Sequence, residues 1–257
     1  MNMLNERQGK ILKAIVQEYT ETANPVSSGY LRKKYKLDYS TATIRSEMAL
    51  LEEEGFLSKV YVSSGRIPSD KGYRYFIDNL MGERSLSLSY QKKLELELLK
   101  QKAKSARLER TTTKLLSSMS QCLVLSGMIE KEEYFDFGIH NLIDDPEFSD
   151  MDDLSRLTSA LDLIDENIDK ILSQVKEGET KIFVGKENPL QGIQNCSMIV
   201  APYKLEKGGN GLIAIIGPKR MRYGKNKSLI DFVKKMLGGN GDKIAVVIFI
   251  GGLVSYI

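Results

Sequence analysis

The stretch STATIRSE, residues 40–47, predicts the start of a helix with two unlike faces. The helix is expected to begin near Ser40, and the apolar side chains that follow recur at helical spacing: Ile44, Met48 and Leu51. The opposite side carries short hydroxyls, a small alanine and Arg45. The helix then runs into LEEEG, residues 51–55, whose glycine suits a left-handed C-cap. An apolar inner face and a small, polar outer face are typical of the recognition helix of a helix-turn-helix.

Two further helices are predicted upstream of this one. The first begins at Asn5, which suits an N-cap, and ends before Asn24-Pro25. Its apolar positions form one stripe: Ile11, Leu12, Ile15, Val16 and Tyr19. The second follows the proline over residues 27–35.

Downstream of the glycine at position 55, the hydrophobic pattern changes from a helical period to that of a strand. Residues 56–62 predict a strand, residues 63–65 a hairpin tip, and residues 66–68 the returning strand. Ser69 then suits the cap of a fourth helix. Three helices followed by a hairpin is the order of a winged helix-turn-helix.

A set of basic and hydroxyl side chains is predicted to contact DNA: Lys33, Ser40, Thr41, Thr43, Arg45, Ser46, Ser63, Ser64 and Arg66. Hydroxyls and a helix N-terminus can hold phosphates, and Arg45 can donate to O6 and N7 of guanine. Lys33 and its basic neighbours attract the DNA backbone, whereas Arg66 beside the hairpin tip is expected to enter a minor groove. In the alternative interpretation, Thr41 and Thr43 only cap the helix and Arg45 is a solvated surface charge.

The rest of the chain predicts a mixture of helices and strands. Residues 90–124 indicate one long helix, whose interrupted leucine spacing fits either a dimer seam or packing within the chain. Strands are expected at residues 181–184, 197–201 and 212–216, and a helix at residues 226–237. The predicted fold class is therefore α+β.

No catalytic, cofactor or metal site is predicted. The acidic run over residues 136–169 lacks the spacing and the closing glutamate of a calcium loop, and the start of a helix near residues 149–153 explains it better. His140, the sole histidine, has no recognisable nucleophile motif beside it. Cys122 and Cys196 are far apart and are expected to be reduced thiols.

Charge is distributed unevenly along the chain. Residues 1–110 carry 20 Lys and Arg against 14 Asp and Glu, whereas residues 111–257 carry 17 against 20. A basic first part joined to a slightly acidic remainder fits a domain that binds a polyanion. Ordinary variation of surface charge would give a similar balance.

Several strings resemble the heat-inducible repressor family HrcA. They are ATIR (residues 42–45), LEEEG (51–55), SGRIP (64–68) and DKGYRYF (70–76), followed by NLIDDPEFSD (141–150) and IIGPKRMRY (215–223). The first group belongs to a match that covers residues 4–81. The second group is similar to motifs of that family's regulatory region. Three positions depart from the family's usual residues: Ser27 in place of Gly, Ser46 in place of Asn and Tyr61 in place of His.

The resemblance implies a repressor of chaperone operons that binds an inverted repeat in double-stranded DNA as a homodimer, and whose activity the chaperonin GroEL promotes. It implies a winged helix-turn-helix over residues 1–84, a linker or dimerisation helix over residues 85–125, and a GAF-like α/β regulatory domain over residues 126–257. That domain is expected to be reduced, because residues 125–137 pass almost directly from the linker to the late motif. We expect a cytoplasmic protein with no cofactor and no small-molecule substrate.

Three rival interpretations stay open. An enzyme is disfavoured because no nucleophile or acid–base constellation is evident. A ligand-sensing winged-helix regulator of a different regulon is the main alternative, since GAF-like domains often bind small molecules. The apolar tail, residues 244–257, is shorter than the ~17–25 residues of a spanning helix. It predicts a buried strand or strand pair, with a partial membrane anchor as the third rival.

Overall fold

A computed structural model describes residues 4–61, 65–82, 85–102, 108–131, 133–148, 151–162, 164–205 and 209–237. The first unit contains three helices, a short hairpin and a fourth helix: α1 (Glu6–Thr22), α2 (Ser28–Tyr35), α3 (Thr41–Glu53), β1 (Leu57–Ser58), β2 (Ile67–Pro68) and α4 (Asp70–Tyr75). A π-helical turn, Phe76–Leu80, continues α4. This is the predicted order of elements.

The N-caps predicted at Asn5 and Ser69 are confirmed, and Ser27 and Ser40 cap α2 and α3 in the same way. Asn5 accepts from the amide of Gln8 at 2.9 Å, while the Gln8 side chain accepts from the Asn5 amide at 3.2 Å. Ser27, Ser40 and Ser69 each accept from the amide three residues later. Because these amides would otherwise lack partners, the caps fix where α1 to α4 begin.

The prediction of one helix over residues 90–124 is wrong. The chain forms α5 (Leu88–Lys102), α6 (Leu108–Ser120) and then a strand, β3 (Leu123–Met128). Gln121 has a φ of 58°, a left-handed conformation that ends α6. A short apolar run fits a buried strand as well as a helix, and periodicity alone does not separate them. The strand also begins before the expected boundary at residue 125.

The hairpin of the first unit is shorter than predicted. Strand pairing joins Leu57 with Pro68 and Ser58 with Ile67, and within residues 4–61 the strand does not continue past Ser58 as predicted. The residues predicted for its tip, Ser63 and Ser64, lie outside the described residues.

The elements that follow β3 are β4 (Glu133–Phe137), α7 (His140–Ile143), α8 (Met151–Asp162), α9 (Ile164–Leu172), β5 (Lys181–Val184), β6 (Cys196–Lys204), β7 (Asn210–Pro218) and α10 (Tyr223–Leu237). The strands of this second unit form a five-stranded antiparallel sheet in the order β4-β3-β7-β6-β5. The three strands and the helix predicted here are confirmed, and the α+β class with them. The sequence prediction missed β3 and β4.

Helices cover both faces of this sheet. On one face Val124, Ile199 and Ile213 belong to a core that includes α6 and α10 and continues into the first unit. On the other face Leu125 and Met198 pack with side chains of α7, α8 and α9. Central strands buried on both sides explain the continuous apolar run of β7.

Three further expectations concern the two cysteines, the apolar tail and a membrane-spanning segment. Cys122 and Cys196 are both buried and neither forms a disulfide, and burial raises the pKa of Cys122 to about 12. The apolar tail, residues 244–257, lies outside the described residues. None of the described helices is long and apolar enough to span a membrane.

Helix α4 packs closely on the hairpin, and Gly72 makes that approach possible. A Cβ at Gly72 would lie 2.1 Å from the backbone oxygen of Phe56. We expect Gly72→Ala to lower the free energy of unfolding by about 1–3 kcal/mol, because backbone atoms must move. The measurement is urea denaturation. Gly29→Ala is the control, since its Cβ would meet nothing within 4 Å. Equal denaturation midpoints for the two variants would contradict the packing described here.

Candidate nucleic-acid interface

Helix α3 presents the two faces that the sequence predicts. Ile44, Met48 and Leu51 are buried against the rest of the first unit. Arg45 and Ser46 are exposed on the opposite side, as are the small Ala42 and Ala49 and the apolar Leu50. The first two turns of α3 therefore offer one arginine and several short side chains to solvent.

The hydroxyls at the start of α3 serve as a cap. Ser40 Oγ accepts from the amide of Thr43 at 3.0 Å and lies 2.8 Å from the Thr43 hydroxyl. Thr41 is half-buried in the first turn. Capping and phosphate binding are compatible, because an exposed hydroxyl retains a lone pair or a proton for a further bond. Ser40, Thr41 and Thr43 are thus brought together at one helix end.

An ion pair with a buried carboxylate anchors α3 to α1. Glu47 is almost completely buried on the inner face of α3 and pairs with the half-exposed Arg7 of α1. Breaking such a pair would leave a buried charge uncompensated. The pair therefore fixes the rotation of α3 about its own axis, and with it the direction of Arg45.

The basic residues of α2 are all exposed, and one of them, Lys34, is also paired with a carboxylate. Lys33 is exposed, as are its neighbours Arg32 and Lys36. Lys34 lies 2.6 Å from the buried carboxylate of Glu18, which also accepts from the hydroxyls of Tyr30 and Tyr35. Burial acts to raise the pKa of Glu18, but these three hydrogen bonds hold that pKa below its ordinary value.

Arg66, which is expected to enter a minor groove, lies with its side chain turned inward from the wing, the hairpin made of β1, β2 and the residues between them. Its side chain is only 15% exposed, and its Nε lies 2.7 Å from Glu52 Oε2. Lys59 Nζ lies 3.2 Å from the other oxygen of the same carboxylate. Glu52 stands in the last turn of α3, so one carboxylate ties both arms of the hairpin to that helix. The negative charge of Glu52 draws Arg66 inward.

The backbone holds the hairpin at a second point. The Arg66 amide donates to the Val26 carbonyl and the Val26 amide donates back, both at 2.9 Å. The chain comes so close that a Cβ on Gly65 would lie 2.5 Å from the Val26 backbone. The wing is therefore fixed to the segment before α2 as well as to α3.

Sequence reasoning missed three exposed apolar side chains near this surface. Val60 and Tyr61 project at the base of the wing with exposed fractions of 57% and 63%, and Leu50 of α3 is 45% exposed. The only sequence signal for them was that Tyr61 departs from the family's usual histidine. Among the described residues, no cluster of three or more His, Cys, Asp and Glu side chains could hold a metal ion.

The helices, the hairpin and the five-stranded sheet define an α+β protein in which a helical unit adjoins a sheet unit. A family model described as "HrcA protein C terminal domain" matches residues 73–226. The heat-inducible transcription repressor HrcA of Bacillus pumilus (strain SAFR-032) is 30% identical over 91% of this chain and 97% of its own length. That of Carboxydothermus hydrogenoformans gives the same three values. The chain therefore belongs to the HrcA family of heat-inducible transcription repressors.

A solved structure supports the same fold. The crystal structure of a hypothetical protein matches with a TM-score of 0.71 at 19% identity, over 92% of this chain and 97% of the other. The alignment with the Bacillus pumilus relative spans 338 positions against 257 residues here, so gaps fall in this chain. These gaps agree with a shortened regulatory domain. The five-stranded sheet is nevertheless present.

The carboxylate of Glu52 gives a direct test of how the wing is held. Glu52→Gln should lower the free energy of unfolding by up to about 1 kcal/mol. It should also speed amide exchange at Arg66 and Val26, because the hairpin loses an anchor. Denaturation and hydrogen-exchange mass spectrometry measure the two effects. Glu53→Gln is the control, since Glu53 is exposed on the same helix and the charge change is identical. Equal exchange in both variants would show that Glu52 does not hold the wing.

Proposed function

We propose that this chain represses heat-shock operons by binding an inverted-repeat operator in double-stranded DNA as a homodimer. The observation that carries the proposal is the exposed face of α3, fixed from behind by the apolar face and by the Glu47–Arg7 pair. The 13 residues of α3 span about 20 Å. A helix of that size fits a major groove about 12 Å wide. The names of the relatives, heat-inducible transcription repressors, support the regulatory role.

Within this proposal the residues have different tasks. Arg45 reads a guanine by two hydrogen bonds, and Ser46 contacts a neighbouring base edge. Ser40, Thr41, Thr43 and Lys33 bind phosphates beside the groove. Ser63 and Ser64 remain predicted DNA contacts. Arg66 supports the wing through Glu52 instead of contacting DNA, which revises its predicted part.

The homodimer follows from how much DNA one helix can read. A single recognition helix contacts too few base pairs to select a site in a genome. Two copies related by a two-fold axis would read two half-sites one helical turn, or a multiple of it, apart. The chaperonin GroEL remains the partner that the family resemblance implies, and no catalytic step is proposed.

A ligand-sensing regulator is the second candidate, and one cavity favours it. The cavity has a volume of about 740 Å³ and lies between α1 and α2 of the first unit and the start of α10. Phe76, Met81 and Tyr90 give it apolar walls. Pockets of this size hold small molecules. A ligand that binds only the folded state raises the melting temperature, so a thermal-shift screen decides whether this candidate survives.

Substituting Arg45 tests the major-groove contact. Arg45→Ala should cost about 1–3 kcal/mol of discrimination between operator and scrambled DNA, because a bidentate guanine contact is lost. Arg32→Ala removes an exposed arginine of α2 and is the matched control. It should weaken binding to both duplexes alike. Competition binding measures the ratio of the two affinities, with circular dichroism to verify folding. An unchanged ratio for Arg45→Ala would remove α3 from the major groove.

Selection of DNA from a random pool tests the dimer. The bound sequences should contain two half-sites related by two-fold symmetry and in helical register. Affinity for the selected duplex should fall roughly 10³–10⁵-fold between about 50 and 200 mM salt if some 6–10 phosphates are contacted. Recovery of a single, unrepeated half-site would exclude the proposed dimer.

A further inference from the structure

Three sequence motifs that are far apart in the chain meet where the two units join. They are residues 70–74 of α4, residues 145–147 between α7 and α8, and residues 219–223 at the start of α10. The rings of Tyr73 and Tyr223 lie in the middle of this junction, with their centroids 5.9 Å apart. Charged side chains surround the two rings.

Arg220 makes largely enclosed polar contacts in the junction. Its Nη2 donates to Asp145 Oδ2, and its Nη1 donates to the Thr20 carbonyl of α1 at 3.2 Å. Thr20 stands in the last turn of α1, where carbonyls have no partner within the helix. One guanidinium thus links a carboxylate of the sheet unit to the backbone of the first unit.

The positive charge of Arg220 balances two nearby carboxylates, those of Asp145 and Glu147. Arg220 is 16% exposed and Asp145 is 12% exposed. The Glu147 carboxylate lies 3.9 Å from Arg220 Nε and is also largely enclosed. Burial raises the pKa of Glu147, and Tyr19 and Arg220 oppose that effect. Without Arg220, the enclosed carboxylates of Asp145 and Glu147 would both lose the guanidinium beside them.

A second group of contacts fixes the other side of the junction. Lys219 lies 2.8 Å from Asp70, and Arg74 donates to the Ile182 carbonyl at 2.6 Å. The backbone of Gly185 comes so close that a Cβ would lie 2.1 Å from Asp70 Oδ2. Contacts on both sides of the tyrosine rings restrict rotation of one unit against the other.

The exposed side of α3 that is proposed to contact base edges is called the DNA-reading face here. The junction and this face use different parts of the first unit. The contacts described above come from the last turns of α1 and from α4, whereas Arg45 and Ser46 are exposed on α3. Docking on the sheet unit therefore leaves the reading face open. It also gives the first unit one defined orientation on the sheet unit.

We infer that Arg220 is a positioning residue that fixes the orientation of the DNA-reading unit on the sheet unit, and thereby the placement of the two α3 helices of a dimer on their half-sites. This inference rests on the proposed function. It assigns to a residue of the sheet unit a role in recognising half-site spacing. A misoriented unit could still bind one half-site, but its partner would then miss the other.

The experiment compares two duplexes, one with both selected half-sites and one with a single half-site. Arg220→Leu should lower the ratio of the two affinities at least roughly tenfold, since bivalent binding is lost when geometry prevents simultaneous contact. Its affinity for the single half-site should stay within about twofold of that of the unaltered protein, the margin of a typical binding titration. An unchanged ratio would overturn the inference.

Arg222→Leu is the matched control. It removes the same charge from the same motif, but Arg222 and its partner Glu21 are both more than half exposed. Exposed pairs contribute little, so the affinity ratio of this variant should be that of the unaltered protein. An equal loss in both variants would mean that charge, rather than position, matters, and would also overturn the inference.

Two additions keep the test decisive. If Arg220→Leu does not fold by circular dichroism, Arg220→Lys replaces it, because one ammonium lacks the planar fork that reaches Asp145 and Thr20 together. Amide exchange without DNA should also rise at the last turn of α1 in the Arg220 variant and not in Arg222→Leu. If the unaltered protein shows no preference for two half-sites, the proposed function fails. The exchange result then still decides whether Arg220 holds the units together.

Discussion

The burial of one face of α3 is the constraint on which the rest of the candidate site depends. Ile44 and Leu51 are inaccessible to solvent, so their positions in the core decide which side of the helix faces outward. A helix cannot rotate about its axis without exchanging buried apolar area for exposed area. Glu47 adds an electrostatic constraint in the same direction, because its carboxylate must remain beside Arg7. The exposure of Arg45 is therefore a consequence of packing on the far side of the helix.

Local signals account for what the sequence predicted well. The predicted caps Asn5 and Ser69 act within three residues of themselves, so a short window of sequence contains the whole interaction. The strands β5, β6 and β7 were predictable because apolar runs bounded by turn residues describe them. Strand β3 was not, since its identity depends on pairing with β7, which is more than eighty residues away.

Electrostatic partners are the part of the site that sequence could not supply. Lys34 and Arg66 contribute to the basic count of the first part of the chain, yet each is paired with a carboxylate of its own unit. The charge balance along the sequence indicates a surface that binds a polyanion. It does not show which basic side chains remain available for that binding. The set available to DNA is consequently narrower than the composition implies, and it centres on Arg45 and the exposed residues of α2.

The boundary expected after residue 84 has no counterpart in the core. Buried side chains from Ile11 in α1 to Leu237 in α10 belong to one cluster, which runs from the first unit onto one face of the sheet. The match to the family's C-terminal domain likewise begins at Tyr73, inside α4, and Tyr73 contacts Tyr223 near the other end of the match. A core that is continuous across the junction resists separation of the units, because separation would expose apolar area on both sides. Polar contacts such as that of Arg220 are directional, so they select one orientation among those that such a core permits.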